Sequence, residues 1–155
     1  MEKKDLKSLN YSEMLEEMSA CGEKAFRGKQ IYQWLHEKLA DSPDEMTNIP
    51  AKLKERLKNE YTCTHLQMID VLTSGIDGTQ KYLFRLHDGN VIESVLMKYK
   101  HGNSVCISSQ VGCRMGCRFC ASTLDGLERN LTPSEMLRQV YKNQKITGER
   151  DSNIV

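Results

Sequence analysis

Apolar residues recur at helical spacing through the first sixty positions, and at every second position over the next forty. Met14, Leu15 and Met18 make one apolar set, with Ser12 placed to cap a helix and Gly22 placed to end it. Phe26, Ile31, Trp34, Leu35 and Leu39 make a second set, which Ser42-Pro43-Asp44 breaks. Asn48 followed by Pro50 opens a third helix, with Leu53 and Leu57 one turn apart. These predict a small helical bundle over residues 1–62. The period then changes to two. Residues 66–74, 81–86 and 91–97 read as strands, joined by Gly75-Ile76-Asp77-Gly78 and by the tight turn His87-Asp88-Gly89-Asn90. A β-meander is therefore expected over residues 63–100. Lys100-His101-Gly102-Asn103 marks a boundary before a further strand at 105–108.

From residue 101 onward the pattern is strand, loop, helix, strand. Thr132-Pro133-Ser134-Glu135 is a capping box with proline at the first helical position. The helix it opens carries Leu137, Val140 and Tyr141 and should end near Thr147-Gly148, and residues 152–155 begin a strand. This is a βα unit with the start of its successor, as a parallel barrel begins. The fold class is α+β.

Composition narrows the picture a little. A chain of 155 residues is one ordinary domain or two small ones. Its 22 basic and 21 acidic residues balance overall, so composition alone does not announce a nucleic-acid binder. The balance is local: nine Lys/Arg face four Asp/Glu between Lys98 and Arg150, against eleven and twelve in residues 1–60. Such an excess suits either a solvated face or an anionic partner. The segment beginning Glu2-Lys3-Lys4-Asp5 lacks a signal-peptide core, and no apolar run is long enough to span a membrane. Six cysteines read as a ligand set in a reducing compartment rather than a secreted disulfide framework. A cytoplasmic location is expected.

The chemistry concentrates in Ser108-Ser109-Gln110-Val111-Gly112-Cys113-Arg114-Met115-Gly116-Cys117-Arg118-Phe119-Cys120. Cys113, Cys117 and Cys120 stand at C-x3-C-x2-C spacing, and Gly112 and Gly116 let the backbone wrap closely. Three thiolates on a four-iron cubane leave one iron open for a bound molecule. Zinc prefers four ligands, with Cys106 or His101 as the available fourth, and the crowded cysteines suit disulfides poorly. The spacing favours the cluster. Two further residues stand out. Glu93 shares the two-residue period of Val91, Val95 and Met97 and interrupts an apolar face, where burial would raise its pKa and suit it to accept a proton; an inward charge that discourages edge pairing is the alternative. Cys106, between Val105 and Ile107, reads by itself as a small core hydrophobe.

The cysteine spacing, with Phe119 before the last cysteine, resembles the radical S-adenosylmethionine (SAM) superfamily. A closer resemblance runs over most of the chain. Phe26-Arg27-Gly28-Lys29-Gln30-Ile31, Trp34-Leu35, Asp44-Glu45-Met46-Thr47-Asn48-Ile49-Pro50, Asp77-Gly78-Thr79, Lys81-Tyr82-Leu83-Phe84, Ile92-Glu93-Ser94-Val95, Cys106 to Cys113 and Arg129-Asn130-Leu131 are similar to the dual-specificity RNA methyltransferases of the RlmN/Cfr family. That resemblance implies methylation of C2 of an adenosine in 23S rRNA and in tRNA, or of C8 in the resistance branch. It implies a 4Fe-4S cluster on Cys113, Cys117 and Cys120 and SAM as second cofactor. Glu93 matches the family's proton acceptor, and Cys106 the thiol that takes the adenine ring proton to resolve a covalent enzyme–RNA intermediate. The implied fold is an α+β accessory region (helical bundle over 1–62, meander over 63–100) followed by the first βα unit of a partial TIM-type (βα)6 barrel from residue 101. The implied partners are 23S rRNA, tRNA and an electron-donating reductase, with the protein a monomer and no membrane involved. The family's SAM-holding segments and methyl-carrying cysteine have no match in these residues. The chain is accordingly expected to be an N-terminal fragment, its barrel truncated and inactive by itself. A non-catalytic RNA-binding module and a zinc-stabilised domain remain open from the residues alone.

Overall fold

The computed structural model describes residues 3–155. It divides into two compact units, one ending at Thr64 and one running from His65 to Val155. Among the described residues no helix is long and apolar enough to cross a membrane.

The first unit is three helices closed by its own ends. The Asp5 carboxylate accepts from the backbone N–H of Lys7 at 2.9 Å and of Thr64 at 3.0 Å, tying the start of the unit to its finish. Helix α1 covers Tyr11–Ala20, α2 Ala25–His36 and α3 Ala51–Glu60. Asn10, rather than Ser12, caps α1. It lies three residues before Glu13, so its side chain accepts the Glu13 N–H at 3.0 Å while the Glu13 carboxylate accepts the Asn10 N–H at 2.7 Å. Ser12 donates its hydroxyl to the same Asn10 oxygen. Asn48 likewise lies outside α3 and accepts the Trp34 indole N–H at 2.6 Å. Met14, Met18, Ile31, Leu35, Leu53 and Leu57 fill the core as the helical spacing predicts, joined by Leu6, Met46, Ile49 and Tyr61. Phe26 does not join them: it is 49% exposed with the Arg27 guanidinium over its ring.

The second unit is built on a five-stranded sheet of order β1-β2-β3-β4-β7, with β1 Gln67–Thr73, β2 Gln80–Arg85, β3 Val91–Tyr99, β4 Gly102–Cys106 and β7 Asp151–Ile154. The first four strands are a continuous antiparallel meander, and β7 joins β4 in parallel through helix α4, Pro133–Thr147. The boundary expected at residue 101 falls inside this sheet. Tyr99 pairs with Gly102, so Lys100 and His101 are a hairpin turn rather than a linker. Polar residues with a glycine signal both, and the antiparallel partner decides between them. A separate two-stranded ribbon, β5 Gln110–Gly112 and β6 Leu127–Asn130, was not anticipated from the sequence.

Register decides which side chains face the core. Phe84 opposes Ile92 and Tyr82 opposes Ser94, and all four are buried, with Leu96 continuing the same face of β3. Leu66, Leu86, Val111 and Leu131 complete this core. Helix α4 opens with the predicted capping box on Thr132 and Glu135, and Gly148 ends it at φ 68°. Glu135 does more than cap. Arg129 on β6 forks onto both its oxygens at 2.8 Å and reaches Asp88 of the β2–β3 turn at 2.7 Å. Burial acts to raise the Asp88 pKa, but hydrogen bonds from Arg129 and Asn90 outweigh it and hold the carboxyl at about 2.

One acid-sensitive group lies in the helical unit. Burial, with the Lys7 charge adding to it, pushes the His36 imidazole down to about 4. The unfolded chain, with a histidine near 6.5, therefore takes up the proton first. The stability held by neutral His36 is complete above about pH 6.5 and is lost as pH falls through 4. Melting followed at pH 7.5, 5.5 and 4.5 should show the helical unit losing about 5 °C or more, and His36→Gln should flatten that slope. Equal slopes in parent and variant would show that His36 is not the group responsible.

Candidate functional site

The parity of β3 places Glu93 on the face opposite the core. Val91, Glu93 and Val95 alternate with buried Ile92, Ser94 and Leu96. Burial of Glu93 was the expectation, and it is overturned: the side chain is 54% exposed and its carboxylate meets Lys81 at 3.1 Å. Both parities of β3 carry apolar residues, so the sequence did not show which set the core would take. The aromatic partners Phe84 and Tyr82 settle that by occupying the other face.

Cys106 arrives on the same face for the same reason. It is the last residue of β4, its Cα partner is Val95, and Val95 lies two positions from Glu93. A cavity of about 550 Å³ opens over this face, lined among others by Glu93, Val95, Cys106, Ser108, Cys113 and Ser122. Three of the five candidate residues thus share one concavity. Cys117 and Cys120 do not line it.

The three loop cysteines sit on a loop closed at its base by a ribbon and exposed to solvent at its tip. The β5–β6 ribbon closes the loop, with the Cys113 N–H donating to the Gly126 carbonyl at 2.9 Å and Gln110 pairing with Asn130. The approach is so close that a Cβ on Gly112, at φ +70°, would lie 2.0 Å from that carbonyl oxygen. Farther out, Thr123 donates its hydroxyl to the Cys117 and Cys120 carbonyls at 3.1 and 2.9 Å. Cys113, Cys117 and Cys120 are free thiols of intermediate burial, and Phe119 beside them is 95% exposed. Among the described residues no three Cys, His, Asp or Glu side chains are drawn together tightly enough to hold a metal ion. Neither a zinc tetrahedron nor the shell of a cluster is preassembled. The donor set nevertheless fits an iron–sulfur centre: three soft thiols lie within eight residues, on a loop whose base is fixed and whose tip is open.

Sequence reasoning missed what supports this arrangement. The ribbon strands are only three and four residues long, too short for periodicity to register. Of the two glycines that signalled close approach, Gly112 and Gly116, only Gly112 meets another stretch of backbone. Arg129 entered only through the family resemblance, with no hint of its carboxylate partners.

Comparison with known proteins places the fold in a class. Over 97% of this chain and 45% of its own length, a crystal structure described as a radical SAM methyltransferase from Sphaerobacter thermophilus matches with a TM-score of 0.87 at 39% identity. Residues 4–63 match the family described as the ribosomal RNA large subunit methyltransferase N-terminal domain. Two relatives are each described as a probable dual-specificity RNA methyltransferase RlmN. That of Lachnospira eligens is 65% identical over 97% of this chain, and that of Lachnoclostridium phytofermentans 59% identical over 99%. The chain is thus similar along almost its whole length to relatives described as RlmN, with residues 4–63 matching the N-terminal domain of that family. It spans 43% of the length of each of these two relatives.

The close approach at Gly112 generates a test. Gly112→Ala should break the ribbon, at a cost of roughly 1–3 kcal/mol, because strain and a backbone collision coincide there. Gly116, at φ +67° with nothing near its Cβ position, should tolerate alanine at about 1 kcal/mol or less. Thermal melting, with iron retained after anaerobic reconstitution as second readout, separates the two. Equal losses at both positions would remove the β5–β6 closure from its role.

Proposed function

We propose that this chain supplies the cluster loop and the proton-handling residues of a radical SAM methyltransferase acting on C2 of an adenosine in 23S rRNA and tRNA. The single observation behind this is the convergence of Glu93, Cys106 and Cys113 on one cavity. The family match adds to it.

Adenine C2 is electron-poor and a weak nucleophile, so polar methyl transfer to it is slow. A 4Fe-4S cluster with SAM, when bound, supplies one-electron chemistry that avoids this limit. Cys113, Cys117 and Cys120 would hold the cluster as thiolates. Their side chains would turn toward it from a loop whose backbone Thr123 braces at the Cys117 and Cys120 carbonyls. Cys106 presents its sulfur to the cavity from the end of β4, where as a thiolate it would take the ring proton from the methylated carbon, becoming the thiol, and let the RNA separate from the enzyme. Glu93, on the neighbouring strand and open to solvent, would receive a proton and pass it outward. Val95 lies beside them and Val91 beyond, giving the cavity an apolar wall for a base. The incoming electron would come from a reductase system. The barrel context, in which β4, α4 and β7 form the first unit of a (βα)6 wheel, belongs to the same proposal and is supported by the parallel β4–β7 pairing.

Two measurements test it. Anaerobic reconstitution should give a brown chain whose iron is lost in Cys117→Ala and kept in Cys63→Ala; unchanged iron in Cys117→Ala defeats the cluster assignment. With this chain replacing the matched part of a full-length relative, Cys106→Ala should accumulate protein–RNA adduct. Normal turnover by that variant removes Cys106 from the mechanism. Mapping the modified carbon in the same RNA distinguishes C2 from C8.

A further inference from the structure

Beyond Cys106 the β3–β4 ladder stops, although the chain continues alongside β3 for two more residues. The pair Val95–Cys106 is the last in register. Side chains replace the missing ladder. The Ser94 hydroxyl donates to the Cys106 carbonyl at 3.0 Å, and the Ser108 hydroxyl donates to the Glu93 carbonyl at 2.6 Å. These bonds tie the Cys106 carbonyl to β3 and the Glu93 carbonyl to the segment that follows β4.

The other side of this segment is held from α4. Gln139 is fully buried, and its amide makes both bonds that a neighbouring strand would make. Its oxygen accepts the Ser108 N–H at 2.8 Å, and its nitrogen donates to the Ser108 carbonyl at 2.8 Å. The adjoining residues are tied elsewhere, Ile107 to the Val155 carbonyl and the Ser109 carbonyl to the Leu131 N–H, each at 2.9 Å. A glutamine amide is the side chain that matches a peptide unit donor for acceptor, so no apolar residue of its size can replace it without orphaning two partly buried backbone groups.

We propose that Gln139 is a positioning residue: by acting as a one-residue strand against Ser108, it fixes the Cys106–Gln110 segment and thereby sets the Cys106 thiol against Glu93 and the base of the cysteine loop. Gln139 touches neither the cavity nor the loop cysteines, and it acts through Ser108. The inference rests on the reading of Cys106 and Glu93 given above. Its test needs no methylation, so failure of that reading and failure of the strap are told apart.

The test compares three variants of the 155-residue chain, with alkylation of each cysteine by iodoacetamide mapped by mass spectrometry at one pH. Gln139→Leu should raise the Cys106 rate relative to Cys63 by about tenfold, the local-opening equivalent of losing two neutral hydrogen bonds. Gln139→Glu keeps an acceptor for the Ser108 N–H but sets a second oxygen against the Ser108 carbonyl, and should give an intermediate ratio. Val140→Ala, a neighbouring buried position, lowers the melting temperature without touching Ser108 and should leave the ratio within about twofold. That control separates positioning from general loss of stability. A Gln139→Leu ratio less than about threefold above that of Val140→Ala would overturn the proposal. Where Gln139→Leu does not fold, the same criterion applies to Gln139→Glu. Amide hydrogen exchange in the unaltered chain decides independently of any variant: Ser108 should be protected, and exchange at the free-peptide rate would overturn the strap.

Discussion

The pairing of Phe84 with Ile92 across β2 and β3 is the constraint on which the site depends. A strand shows its side chains to alternate faces, so one aromatic partner fixes the direction of every residue on β3. Once Ile92 is committed to the core, Glu93 must face away from it. Once β4 pairs with β3 so that Val95 meets Cys106, the thiol must share the Glu93 face. A slip of one residue would bury the carboxylate and put Ile92 and Leu96 into solvent. Hydrophobic burial, which has no direction of its own, here orients two polar groups that it does not touch.

The loop that follows is held by polar contacts. Arg129 joins the β2–β3 turn, the ribbon and the first turn of α4 by meeting Asp88 and Glu135 together. Its guanidinium is shared by two carboxylates and held charged by them. The Glu135 carboxyl is meanwhile held below its ordinary range, although its burial alone would raise it, because Arg129 and the Thr132 N–H both donate to it. Such a pair adds little to stability unless its geometry is fixed, and here the bidentate fork and the capping box fix it. The gain is in placement. The β2–β3 turn, 41 residues away in sequence, meets the ribbon and α4 at one charged node near the base of the cysteine loop.

How much of this could be read in the sequence varied with the length over which each signal extended. The helices, the long meander strands and the Thr132 capping box were legible, because each rests on several residues repeating one rule. The cysteine triplet was legible because its spacing is local. Ser12 was read as the cap although Asn10, two positions earlier, is as good a capping residue, and Asn10 alone of the two has a glutamate, Glu13, three residues on to return the bond. Glu93 was placed on the wrong face because β3 has apolar residues on both parities, so the deciding fact lay on another strand. Lys100-His101-Gly102-Asn103 read as a boundary because the fact that makes it a turn, the pairing of Tyr99 with Gly102, also lay on another strand. Gln139 is the extreme case: nothing near it in sequence hints that it will serve as a strand for Ser108, thirty-one residues away.

A site assembled in this way is stiff where protons would move and soft where a metal would bind. Glu93, Cys106 and Ser108 lie between sheet, helix and ribbon, each fixed through backbone groups that have partners. The loop from Cys113 to Gly126 hangs from that frame by the ribbon, with Met115, Phe119 and Leu124 exposed on it. Ligands to a metal must adjust over fractions of an ångström to meet it, and a loop exposed at its tip lets binding energy do the final ordering. Proton transfer tolerates no such adjustment, since its rate falls steeply with misplacement. The division of one continuous segment, Val105 to Cys120, into a half braced by sheet and helix and a half held by bonds within its own loop therefore follows the different demands of the two chemistries proposed for it.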